Sequence, residues 1–219
     1  MKKNIPTPDI NQVTAGSAAF QKHEKRDAMY LVATYLVEEF WNEPSKLANG
    51  LGVLLFTWNH AHYRYGPFEY ESLQECLAKH VIELTIYRQR HILEYTADDD
   101  AGISKIFEEF SEALVIVEGA GIGRRSPVAV AKALHLLAPN FFPLWDEKIA
   151  IAYGCRYAGN PVGAYLKFFG ITHDILRELQ DALEPIRGDR TLLKILDEYN
   201  YAKHTKKWIK NAEQEIPPT

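Results

Sequence analysis

Two cysteines in 219 residues, Cys76 and Cys155, are too few for a four-cysteine iron–sulfur cluster, and their separation suits a reducing cytosol. Long apolar runs are missing as well. No stretch approaches the length needed to span a bilayer, and Met1-Lys2-Lys3 leads into Asn4-Ile5-Pro6 rather than an apolar segment, so a cytoplasmic protein with no membrane partner is expected. There is no basic excess: 25 Lys and Arg stand against 29 Asp and Glu, a formal net charge of −4. Phosphate contacts usually leave a basic surplus, so this balance weighs against a dedicated nucleic-acid binder. Alternating patterns of useful strand length and internal repeats are absent too.

What remains is helical periodicity, enough to predict an all-α fold, and a hydrophobic content of 47% that can bury a full core. Met29, Tyr30, Ala33, Leu36, Val37 and Phe40 place a helix near 27–41. Others are expected at about 51–64, 69–80, 82–95 and 99–116. After a glycine-rich turn come an amphipathic helix from Pro127, a short one at 147–153, and two long ones near 161–184 and 190–210.

The turn, Glu118-Gly119-Ala120-Gly121-Ile122-Gly123-Arg124-Arg125-Ser126-Pro127, carries the most information. Gly121 and Gly123 allow positive φ and bring bare N–H groups toward an anion while Ile122 plugs into the protein. Ser126 can cap a helix opened by Pro127, whose positive end then sits beside the glycines with Arg124 and Arg125. Val128, Ala131, Leu134, Leu137 and Ala138 give that helix one buried face, until Pro139 ends it. Downstream lies Asp146, in Phe142-Pro143-Leu144-Trp145-Asp146.

A glycine hairpin, a basic residue heading a helix and an Asp about twenty residues later resemble the helix-hairpin-helix DNA glycosylase superfamily. The resemblance covers roughly residues 50 to 155. It implies DNA as partner, a hairpin of Gly121, Gly123, Arg124, Arg125 and Ser126 on the phosphate backbone, and Asp146 as the catalytic carboxylate. It further implies two lobes, a helical barrel over 45–142 and a second lobe of 1–44 plus 143–219, with the active site between them. The segment Val53 to Asn59 looks like the helix that serves the base pocket, with Trp58 where the family often has Gln. The resemblance calls for no redox cofactor, although a monovalent cation on hairpin carbonyls is compatible with it.

Strand-cutting members of this family carry a Lys just after the hairpin glycines, where this chain has Arg125. A guanidinium is not an amine nucleophile, so a monofunctional enzyme using water is expected. Lys132, two turns on, could substitute, but reads first as a solvated or phosphate-contacting side chain.

Asp146 fits its expected task chemically. Breaking an N-glycosidic bond develops an oxocarbenium-like sugar that a carboxylate stabilises, and an Asp at a helix N-terminus is held ionised by N–H groups and the dipole. The plainer alternative is an N-cap before Glu147. For a flipped base, Trp58, His62 and Tyr65 share one helical face with Asn59 beside it, a stripe that could equally be core. His60 and His62 diverge, so no metal pair is expected. His135 reads as a packed or surface residue rather than a general base, Trp145 as packed, and Asn140 as shaping the cleft. Lys203, Lys206, Lys207 and Lys210 surround Trp208 in a basic segment, either a solvated face or a DNA contact. The expected protein is a monomeric, monofunctional DNA glycosylase. A non-catalytic helix-hairpin-helix module for DNA or protein is the alternative, and a structural helical protein with a fortuitous turn a third. An Asp146 in an open cleft favours the enzyme, and one buried under Trp145 the module.

Overall fold

The computed structural model describes residues 7–209, and these form ten α-helices with no strand; one isolated antiparallel bridge joins Phe68 to Ile116. In order they are α1 (Ile10–His23), α2 (Asp27–Glu39), α3 (Pro44–Trp58), α4 (His60–Tyr63) and α5 (Tyr70–Arg88). Then come α6 (Asp100–Ala113), α7 (Pro127–Leu137), α8 (Glu147–Ala152), α9 (Pro161–Leu183) and α10 (Leu192–Asn200). Side-chain caps start most of the later helices. Ser126, Asp146, Asn160 and Thr191 each accept a hydrogen bond from a first-turn amide, and Pro127 and Pro161 follow two of these caps. None of the helices described is long and apolar enough to cross a membrane.

Several boundaries differ from expectation for physical reasons. Helix α1 carries few large apolar residues, and its contact with α10 is made through Gly16, where a Cβ would come within 2.8 Å of Tyr199. Helix α5 runs through the break expected near residue 81. No Gly or Pro interrupts it, and buried His80 is satisfied by carboxylates of Glu83 and Glu109 at 2.6 and 2.8 Å. Helix α3 begins at Pro44 and stops at Trp58, so the stripe expected on one helix is split at Asn59. The last helix ends at Asn200 and passes into a π-type turn over Tyr201–Thr205; Lys210 lies outside the described residues.

The buried side chains form one continuous core. A lobe boundary at residue 44 would fall between α2 and α3, yet these two pack directly on each other, and α2 also meets α7. Helix α1 instead packs on α10 and α9. Two helices run through the interior: every residue of α7 after Pro127 is buried, and so are all nine of α10. This corrects the amphipathic reading of α7. A helix apolar all round belongs inside, and the polar side chains it carries have no solvent side to occupy.

Candidate active site

Between α3–α4, the hairpin, α7, the start of α8 and the π-turn after α10 lies an open cavity of about 550 Å³. Its floor holds Lys132 of α7, Asp146 and Asp197 of α10. Aromatic rings of Phe20, Trp58, Tyr65, Trp145, Tyr157 and Tyr201 line it, and exposed Arg26, Arg124, Lys148 and Lys206 stand at its mouth with Glu147.

Asp146 is both things the sequence allowed. Its Oδ1 accepts from the Ile149 amide at 2.8 Å, capping α8, while Oδ2 accepts from the Thr205 hydroxyl. It is half-buried and opens to the cavity beside Trp145, whose buried ring forms part of the wall and donates its indole N–H to the Pro127 carbonyl at 3.3 Å.

Lys132 is neither solvated nor free to contact a phosphate outside the cavity. Its ammonium donates to the Trp58 carbonyl at 2.7 Å, where α3 ends. Burial pulls its pKa down to about 8, against the opposing pull of Asp146 and then Asp197. Near pH 7.5 roughly a quarter of such a group is a neutral amine, against about one part in a thousand for an ordinary lysine.

Trp58, Asn59, His62 and Tyr65 all reach the cavity despite the helix break. Trp58 stacks on Tyr30 with centroids 5.5 Å apart and donates to the Arg26 carbonyl at 3.0 Å. Asn59 donates to the Ser126 hydroxyl at 3.1 Å, which ties the end of α3 to the cap of α7. Burial, then Arg124, lowers the His62 pKa, and its buried Nε2 has no partner among the described residues. Arg124 lies over the Tyr65 ring at 4.8 Å.

The hairpin departs from its expected form. Gly123 has φ +79° and so does need glycine, but Gly121 lies outside the positive-φ region. Gly121 is required by proximity instead, since a Cβ there would come within 2.8 Å of both Ile116 and Tyr65. The amides of Gly121 and Gly123 are spent on the carbonyls of Tyr65 and Ile116, at 2.9 and 2.8 Å, and that of Arg124 on Gly121 at 2.9 Å. They therefore brace the turn rather than face an anion. Ile122 points outward, 69% exposed, where a buried plug was expected. Arg125 pairs with Glu112 and does not line the cavity, so of the two arginines only Arg124 does. Asn140 is not part of the cavity either; its carbonyl accepts from the Ile92 amide at 2.8 Å. No group of three His, Cys, Asp or Glu among the described residues could hold a metal ion.

No family model matches the chain, and neither a curated protein nor a solved structure matches it.

Sequence reasoning missed Asp197, Thr205 and the mouth residues Arg26 and Lys148. Asp197 left no distinct signal: Lys194, Asp197 and Glu198 fall on one helical face, the spacing of a solvated stripe beside the apolar Leu192, Leu193, Ile195 and Leu196. Two of the three are paired. Lys194 sits 2.7 Å from Asp27, and Glu198 accepts from Arg190 at 2.7 Å and from Ser17.

His135 is packed, as expected. Its Nδ1–H donates to the Phe142 carbonyl at 2.8 Å and its Nε2 accepts from Tyr30 at 3.0 Å. Burial drops its pKa to about 4, and burial does the same to His204 beside the site. Both lie below the ordinary 6.5, so the unfolded chain binds more protons and the stability they contribute is present above pH 6.5 and lost on acidification toward 4. Denaturant midpoints measured from pH 7.5 to 4 should therefore fall mainly within that window. His135→Gln should flatten the fall, and an unchanged profile would show that these histidines titrate normally.

Proposed function

We propose that this protein is a DNA glycosylase that receives a flipped base in the cavity and breaks its N-glycosidic bond. The observation that carries this reading is the convergence of Asp146 and the low-pKa amine of Lys132 on an aromatic-lined cavity with a basic mouth. The volume lies within the ~300–1,000 Å³ range of ligand pockets. The aromatic walls supply stacking worth about 1–3 kcal/mol per base. Asp146 stabilises positive charge developing on the sugar, held in orientation by the Ile149 amide and the Thr205 hydroxyl.

The expectation of purely hydrolytic chemistry rested on the absence of a placed amine at position 125. Lys132 now offers one from further along α7, so attack at C1′ by this amine, followed by strand cleavage, is the form of the reaction favoured here. The test of function is a set of duplexes bearing different lesions and modified pyrimidines, scored for abasic sites and strand breaks. Base release from at least one of them is expected, and release from none would overturn the reading. An Asp146 that opens into the cavity, rather than lying under Trp145, supports the enzyme over a binding-only module.

The mouth makes a separate prediction. With the hairpin amides engaged, phosphate contact falls to the cationic side chains, so Arg124→Ala and Lys206→Ala should each flatten the slope of log affinity against log salt by about 0.7–0.9. Arg125→Ala, paired away from the cavity, should leave that slope nearly unchanged. Equal effects from all three would return the phosphate contact to the hairpin.

A further inference from the structure

Asp197 is the group in the cavity that neither the fold nor the proposed chemistry yet uses. It lies on interior helix α10, is only 8% exposed, and lines the cavity floor. Among the described residues its carboxyl accepts no hydrogen bond and forms no ion pair, whereas Lys194 and Glu198 on the same helix are both paired. A carboxyl with no protein partner, reached by solvent only through the cavity, is costly to folding in its charged form. The groups that bear on it are Lys132 from α7, Asp146 before α8, Tyr30 from α2, and Lys194 and Glu198 from its own helix. Two carboxyl groups in different environments within one cavity divide naturally into an ionised stabiliser and a protonated donor.

We propose that Asp197 is the general acid of this site, giving a proton to the departing base while Asp146 serves the sugar. This rests on the glycosylase reading. As the bond from C1′ to the base nitrogen breaks, its electron pair leaves with the base, and the Asp197 proton neutralises that charge on a ring nitrogen or exocyclic oxygen. The sugar cation is captured by the Lys132 amine or by water. The proton lost from the attacking group returns to Asp197, so no further reactant is needed. Burial, opposed by Lys194 and reinforced by Asp146, pushes the Asp197 pKa up to about 7, which keeps a large share of it protonated near neutrality.

The test compares wild type, Asp197→Asn and Asp146→Asn in single-turnover base release, on the substrate duplex and on one whose base is a better leaving group. Asp197→Asn should slow the poor leaving group on the order of 10²–10³-fold and the good one less than about tenfold. The ratio of wild-type to Asp197→Asn rate should also fall as pH rises through about 7, because only the wild type depends on that proton. Asp146→Asn should slow both substrates alike. Equal losses for the two leaving groups in Asp197→Asn, or a rate ratio that does not change with pH, overturns the assignment while leaving the glycosylase reading intact. A wild type without base release overturns the glycosylase reading itself. A readout independent of activity accompanies these. The folded pKa of Asp197 exceeds its ordinary 3.8, so its contribution to stability is present below that pH and lost as pH rises through about 7. Asp197→Asn should therefore gain in melting temperature over wild type between pH 4 and 8. No relative gain means that the buried proton is not there, and the proposal falls.

Discussion

Asp146→Asn abolishes base release, with a loss on the order of 10³-fold or more in the single-turnover rate, while DNA affinity shifts less than about threefold. The asymmetry follows from where the charge acts: the carboxylate meets full positive charge only as the glycosidic bond breaks, so removing it costs the transition state and spares the bound ground state. Asparagine suits this test because it keeps the geometry. Its side-chain oxygen can still accept from the Ile149 amide and cap α8, and it can still meet Thr205. A circular dichroism spectrum and melting temperature near wild type are therefore expected. Wild-type turnover in this variant would reduce Asp146 to a cap and remove the mechanism.

Borohydride added during turnover traps a covalent enzyme–DNA adduct through Lys132, and Lys132→Gln loses it. The amine is available because burial lowers its pKa to about 8, and it is placed because the Trp58 carbonyl holds it in the cavity that contains Asp146. Because only the neutral amine attacks and Asp197 must still hold its proton, trapping should rise about tenfold per pH unit below pH 7, level off between about 7 and 8, and fall above. Lys132→Gln should also leave abasic sites intact until alkali breaks them. Should wild type itself give alkali-labile sites and no adduct, water is the nucleophile and the chemistry expected from Arg125 alone is restored. Glutamine keeps a donor for the Trp58 carbonyl, so the variant is expected to fold.

The two residues that carry these predictions were legible to different degrees. Asp146 stood out in sequence because a capping position at the start of a short helix, downstream of a glycine turn, is a local pattern. Lys132 was misread because its helix was treated as half-exposed. Yet Pro127 to Leu137 contains only two polar side chains, Lys132 and His135, and a segment apolar on every face has nowhere to be but inside. That reasoning does not reach Asp197, because Lys194, Asp197 and Glu198 give α10 a polar face that reads as solvated. The hairpin shows the opposite failure: its glycines were recognised correctly as a turn, but whether their amides faced outward depended on Tyr65 and Ile116.

The sequence by itself determined the helical class, the caps at Ser126 and Asp146, the glycine at 123 and the aromatic stretch after residue 57, because each depends on periodicity or on neighbours within four positions. Only the tertiary structure decided that α10 runs through the core despite Lys194, Asp197 and Glu198, and that Lys132 and Asp197 line one cavity, the first as a low-pKa amine and the second as an acid with no protein partner among the described residues. Only it decided that the hairpin amides are spent and that Arg125 is turned toward Glu112. The physical reason is that protonation and exposure depend on desolvation and charge from segments far apart in the chain: Trp58, Lys132, Asp146 and Asp197 span about 140 positions and meet in one cavity.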